Sequence, residues 1–271
     1  MQSDIVEHLQ IKLKQEIINL MKNYRNRISL LSFRALALVL ISSSLVFTSC
    51  KDDDDDTPTP TPTTSKLMVT HASPDAPGVD LLVDGTKVNT AALEFPNSTS
   101  YLTVNSGNRN IKVNVAGTTT TVIDATPAFT ANKSYSIFAV DEVAAISAIV
   151  VEDDLTAPAS GKAHIRFIHL SPDAPAVDVA LDGGVVVFGD YTFKEVSAFT
   201  PLDAGTYDFE VRVAGTTTVA LDLDPITLTA GKIYTVFAKG FLAGTGNQAL
   251  GAQVISNNSF ISSSYAWLES P

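Results

Sequence analysis

The sequence predicts an all-β protein: two tandem Ig-like antiparallel β-sandwich domains that follow a signal peptide and a disordered tether. Three observations carry this expectation. A segment of about 98 residues occurs twice. Short runs in both copies alternate apolar and polar residues with period two, as half-buried strands do. Gly, Pro, Asn and Asp separate these runs, and neither copy holds a convincing long helical period.

The duplication is plainest in one stretch. His71-Ala-Ser-Pro-Asp-Ala-Pro-Gly-Val-Asp-Leu-Leu-Val-Asp-Gly85 returns as His169-Leu-Ser-Pro-Asp-Ala-Pro-Ala-Val-Asp-Val-Ala-Leu-Asp-Gly183, with ten of fifteen positions identical at an offset of 98. Val113-Asn-Val-Ala-Gly-Thr-Thr-Thr120 returns as Val211-Arg-Val-Ala-Gly-Thr-Thr-Thr218, and Lys133-Ser-Tyr-Ser-Ile-Phe-Ala139 as Lys232-Ile-Tyr-Thr-Val-Phe-Ala238. The period is too long for a solenoid, whose repeats run to roughly 20–50 residues. Residues 66–154 and 163–258 are therefore read as two sandwiches joined by a linker over 155–162, with a C-terminal tail over 259–271.

Charge and cysteine content narrow the function classes. From residue 50 onward, 26 Asp and Glu face 12 Lys and Arg. Nucleic acid is excluded as a partner on this balance, because phosphate contacts need basic side chains. The lone Cys50 excludes an intramolecular disulfide and a multi-cysteine metal site.

Residues 1–49 read as a signal region. Lys22, Arg25, Arg27 and Arg34 precede an apolar run, Ala35 to Phe47, broken only by three serines. That is the pattern of a secretory signal, and the run is short of the ~20 apolar residues a membrane span needs. Met21-Lys22 would begin a signal of ordinary length, although Ile5, Leu9, Leu13 and Ile17 recur upstream at helical spacing. Phe47-Thr48-Ser49-Cys50 resembles a bacterial lipobox, with Phe47 where leucine is commoner. The resemblance implies cleavage before Cys50 and lipidation of its thiol. The run Lys51 to Asp56 resembles the acidic signal of Bacteroidetes lipoproteins, which implies display on the outer face of the outer membrane. Thr57 to Ser65 alternates Thr and Pro, which favours a semi-rigid polyproline II stalk. Residues 50–65 are thus expected to be a lipid-anchored tether.

Strands in the first copy are expected near 66–72, 79–83, 86–90, 100–104, 109–115, 118–123, 134–139 and 145–151. Ala116-Gly117 and Ala214-Gly215 read as hairpin turns, as do Asp84-Gly85 and Asp182-Gly183, because Gly supplies positive φ. The second copy carries a longer Gly-rich loop, Gly240 to Gly246. The tail holds Tyr265 and Trp267 and has no counterpart in the first copy.

The candidate site residues are the repeated His71, Asp75, Asp80, Asp84 and His169, Asp173, Asp178, Asp182. Each histidine is in phase with apolar neighbours at a strand end, so hydrogen bonding at the sandwich rim is the expected role. The first aspartate of each set is expected to accept backbone N–H groups in an Asx turn. A divalent cation held by Asp75, Asp80 and Asp84 is the metal alternative, since three carboxylates suit a hard cation. A catalytic His–Asp pair is the other, but the nucleophile and tuned base it needs have no sequence signature here. His164 has Lys66 at the equivalent position, so it shares no duplicated role. No cofactor is expected.

The pattern His-x-Ser-Pro-Asp-Ala-Pro-x-Val-Asp…Asp-Gly, together with Gly231 to Ala238, resembles the DUF4397 family of secreted and surface-anchored bacterial proteins. The first copy departs from it at Asn132, where the second has Gly231. The resemblance implies fold and location and no particular activity. The function expected is a non-enzymatic binding, adhesion or envelope-scaffold module, held to a membrane by its lipid and facing a glycan, matrix or envelope-protein ligand. The alternative is an accessory domain of an extracellular hydrolase, or a weak hydrolase, with sites at the paired motifs.

Overall fold

Each copy of the repeated segment folds into two four-stranded sheets packed face to face. The computed structural model describes residues 63–257. The signal region, Cys50, the acidic run, most of the Thr-Pro stretch and the tail with Tyr265 and Trp267 lie outside the described residues.

The first repeat comprises β1 (Thr64–His71), β2 (Val79–Val83), β3 (Thr86–Lys87), β4 (Leu102–Asn105), β5 (Gly107–Asn108), β6 (Ile111–Val115), β7 (Thr121–Ala125), β8 (Ala128–Phe129), β9 (Ser134–Val140) and β10 (Ser147–Asp153). The second follows the same plan: β11 (Lys162–His169), β12 (Val177–Leu181), β13 (Val186–Tyr191), β14 (Thr200–Asp203), β15 (Gly205–Tyr207), β16 (Phe209–Val213), β17 (Val219–Asp222), β18 (Ile226–Leu228), β19 (Ile233–Lys239) and β20 (Gly251–Ser256). The first repeat has sheets ordered β10-β9-β1-β4 and β3-β2-β6-β7, and the second has β14-β11-β19-β20 and β13-β12-β16-β17. β1 begins at Thr64 and β11 at Lys162, inside stretches expected to be tether and linker. Two further strand pairs, β5 with β8 and β15 with β18, were not expected. They are two or three residues long, too short for an alternating pattern to register.

One pair in each copy departs from the expected antiparallel arrangement. β1 runs parallel to β9, and β11 runs parallel to β19. Between the members of each pair the chain crosses to the opposite sheet and returns, which supplies the long connection that parallel neighbours require.

The two cores follow from the alternation. Leu67, Val69, Ile137, Ala139, Val79, Leu81, Ile111 and Val113 meet inside the first sandwich. Ile165, Phe167, Val179, Phe209, Val211 and Val236 do so in the second. Gly117 and Gly215 close the β6–β7 and β16–β17 hairpins at φ 71° and 70°. At the Asp84-Gly85 turn both residues take positive φ, whereas in the second copy that conformation passes to Gly183 and Gly184.

β1 and β11 are buried on both faces. Their outward sides pack on each other's repeat: Ala72, Phe138 and Val140 of the first copy meet Ile168, Leu170 and Phe237 of the second. The two repeats therefore stack with the β1 and β11 sheets face to face between the two outer sheets. Phe138 and Phe237 hold equivalent positions in the duplication, and their rings meet edge to face at 6.2 Å. Contact between equivalent residues is the mark of a pseudo-two-fold interface.

Candidate functional site

The repeated motif forms one end of each sandwich. β1 delivers His71 into the apolar interior, Ser73-Pro74-Asp75-Ala76-Pro77 turns the chain, and β2 carries it back. His71 is fully buried, with Nε2 3.0 Å from the carbonyl oxygen of Pro77. The imidazole thus bridges the loop it begins. A carbonyl can only accept, so Nε2 carries the proton. Burial holds the imidazole below its ordinary pKa, against the opposing pull of that carbonyl. His169 repeats this arrangement: it is fully buried, Nε2 is 3.0 Å from Pro175 O, and its pKa is lowered by burial.

The aspartates bind backbone, each to a different segment. Asp75 Oδ1 accepts the N–H of Val143 at 2.8 Å, and Asp173 Oδ1 that of Leu242 at 2.9 Å. These bonds tie the motif loop to the loop that follows β9 or β19, a longer-range contact than the expected Asx turn. Asp80 accepts the N–H of Gly117 at 3.0 Å and pairs with Lys87 at 2.7 Å. The Lys87 ammonium, helped by Gly117, holds its carboxyl below the usual range. Asp178 accepts the N–H groups of Gly215 at 2.9 Å and Asp190 at 2.7 Å. Asp84 accepts the N–H of Asn110 at 2.9 Å and pairs with Arg109 at 3.1 Å.

Asp182 lies in a different setting. Its backbone N–H bonds Asp208 O at 2.9 Å, and its side chain borders a shallow acidic depression with Asp208, Glu210, Asp222 and Asp224. Glu210, one of the residues around it, pairs with Arg212. In the first copy the same end carries Arg109 and Lys112, which pair with Asp84 and Asp124.

The three aspartates of the cation alternative do not converge. Asp75, Asp80 and Asp84 are drawn to three separate segments, around Val143, Gly117 and Asn110. Among the described residues no group of three or more His, Cys, Asp and Glu side chains is arranged to hold a metal ion.

A second polar constellation, missed in the sequence, lies between the repeats. Arg166 on β11 reaches Asp153 on β10 at 2.7 Å, with both side chains sealed from solvent. Asp153 Oδ2 accepts Tyr101 Oη–H at 2.6 Å and Ser136 Oγ–H at 2.7 Å. Arg166 Nε–H donates to Thr235 Oγ1 at 2.8 Å, Thr235 donates to Asn257 Oδ1 at 2.8 Å, and Asn257 Nδ2–H returns to Tyr101 Oη at 3.0 Å. Burial, chiefly, pushes the Tyr101 phenol up. Phe199 stacks on the guanidinium, 4.6 Å from its carbon. The only signal in the sequence is that Arg166 stands where the first copy has Met68.

Two tandem β-sandwiches, each closed at one end by a His-x-Ser-Pro-Asp loop, define the class of protein. The chain belongs to the DUF4397 family, described as a domain of unknown function, whose model matches residues 65–180 and 171–264. A search of curated proteins finds no match. Among solved structures, the chain is similar to the Bacillus anthracis TIE protein at 12% identity, covering 65% of this chain and 34% of that one with a TM-score of 0.22. It therefore spans about a third of that protein's length. It is also similar to a family 26 carbohydrate-binding module from Eubacterium rectale in complex with maltoheptaose, at 11% identity, covering 70% of this chain and 96% of that one with a TM-score of 0.25.

Proposed function

We propose that this chain is a non-enzymatic binding module, lipid-anchored through Cys50 and displayed on a stalk at the outer face of a Bacteroidetes-type outer membrane. One observation carries the non-enzymatic part. In both copies the motif's histidine and first two aspartates are used to hold backbone of the same repeat. His71 and His169 bond Pro77 and Pro175, Asp75 and Asp173 bond Val143 and Leu242, and Asp80 and Asp178 bond Gly117 and Gly215. A general base needs a free lone pair within reach of a substrate proton. These imidazoles are fully buried, and each is aimed at a carbonyl. The repeated motif on this reading is a clamp that presents loops.

Two measurements test the proposal. Growing cells fed a labelled lipid precursor should incorporate label in the wild type and lose it with Cys50→Ser. The full-length chain on an array of glycans and matrix proteins should bind without turnover. Hydrolysis of an array member, abolished by His71→Gln with His169→Gln, would overturn the non-enzymatic reading.

A further inference from the structure

We infer that the second repeat contains a binding pocket for a ring-sized apolar group, which the first repeat has filled with its own side chain. The cavity, about 150 Å³, lies at the motif end of the second sandwich, under His169 and Pro175. Val211 forms part of its floor, and Leu242 and Leu250 form a wall from the Gly-rich loop. Its surface is wholly apolar, so water entering would find no partner. An apolar cavity of roughly this size stays dry and takes up benzene.

The duplication explains why the space exists. Val122 and Ala220 hold the same position, each the extra residue in a β-bulge. Val113 pairs with Ile123 and Asn114 with Thr121, skipping Val122; Val211 pairs with Leu221 and Arg212 with Val219, skipping Ala220. Val122 packs against the core of the first repeat. Ala220 borders the cavity instead and cannot fill it.

The second difference is the wall. Six residues join β9 to β10, whereas eleven join β19 to β20. The longer loop is folded tightly on itself. A Cβ on Gly240 would meet Ala249 O at 2.2 Å, and one on Gly244 would meet Gln248 O at 2.1 Å. Asp173 fixes the loop's near end through the N–H of Leu242. Leu242 is itself 55% exposed, so the wall reaches the surface and gives the cavity a mouth.

The ligand class follows from the lining. The lining exposes apolar surface only, the imidazole of His169 turning its Nε2 to Pro175 O, so the part that enters is hydrocarbon. A single aromatic ring fits, whereas a hydroxylated sugar ring would strand its oxygens. This site presupposes a module that binds rather than transforms its ligand. Benzene is read by melting and lipid labelling by Cys50, so a failed pocket and a failed anchor are told apart.

The test is thermal unfolding of the full-length chain with benzene as the probe. Benzene is expected to raise the wild-type melting temperature with concentration, and titration calorimetry to count one site per chain. Ala220→Val, which installs the residue of the first repeat in the same bulge, should fold with an equal or higher melting temperature and lose the benzene shift. Leu242→Ala, at a half-exposed position, keeps the fold if Ala220→Val does not, and should weaken the shift several-fold. A wild type that ignores benzene would overturn the inference. So would an equal shift in Ala220→Val or, where that variant fails to fold, an equal shift in Leu242→Ala.

Discussion

Arg166 of the second repeat lies 2.7 Å from Asp153 of the first, and both are out of contact with solvent. Neither has a charged counterpart: Met68 answers Arg166 in the duplicated sequence, and Asn257 answers Asp153 in strand register, each lying opposite the start of β9 or β19. The pair is thus a charge asymmetry built into an otherwise near-symmetric contact. Removing one partner strands a buried charge, which costs about 3–5 kcal/mol. Arg166→Met and Asp153→Asn singly are expected to destabilise by up to that amount in urea unfolding. The double variant, which gives each position its counterpart's residue, should recover most of the loss. A double variant no better than the sum of its parts would show that the ring of hydrogen bonds matters more than the charges.

Phe138 and Phe237 join the repeats through a shared apolar face. Phe138→Ala is expected to cost about 3–5 kcal/mol. It should also split one cooperative urea transition into two, detectable as non-coincident fluorescence and circular dichroism curves.

The buried histidines set a pH dependence. Burial lowers both pKa values from an ordinary 6.5. Below pH 6.5 the unfolded chain binds protons that the folded chain refuses. Stability is therefore full above about 6.5 and declines as pH falls toward the folded-state values. His71→Gln with His169→Gln should lower stability at pH 7.5 and flatten the slope below about pH 6.5. An unchanged slope would show that both imidazoles titrate freely in the fold.

Asp178 holds two backbone N–H groups while buried. Asp178→Ala is expected to cost about 1–3 kcal/mol, because both donors lose their acceptor. Chelator or added calcium should leave the wild-type melting temperature unmoved, since Asp75, Asp80 and Asp84 are spent on backbone N–H groups of three separate segments. A calcium-dependent rise lost in Asp75→Asn would contradict that assignment.

Much of the fold was legible because one face of most strands is wet. Ile111 and Val113 alternate with polar residues, so β6 declares itself, and Gly117 marks its turn. β1 and β11 were legible only in part. Leu67, Val69 and His71 were rightly seen as one face, but Met68, Thr70 and Ala72 opposite them are buried as well. A strand covered on both sides loses its alternation and gives no hint of what covers the second side. Arg166 in such a strand looks like a solvent-facing residue, because its partner Asp153, at the end of the preceding strand β10, belongs to the other copy and no sequence pattern links the two. The roles of the motif aspartates were half legible: that they bind backbone follows from their turn setting, but which N–H each reaches depends on loops such as 141–146 that only folding brings near.

The face bearing Phe138 has a bearing on how such a duplication is held. One copy alone would leave that greasy sheet wet, and its remedy would be to meet another molecule of its kind. Stringing both halves on one backbone turns that encounter into an internal event, indifferent to dilution. The embrace survives however sparsely the protein is made, and each half is then free to drift in sequence, as a valine in one and an alanine in the other already have.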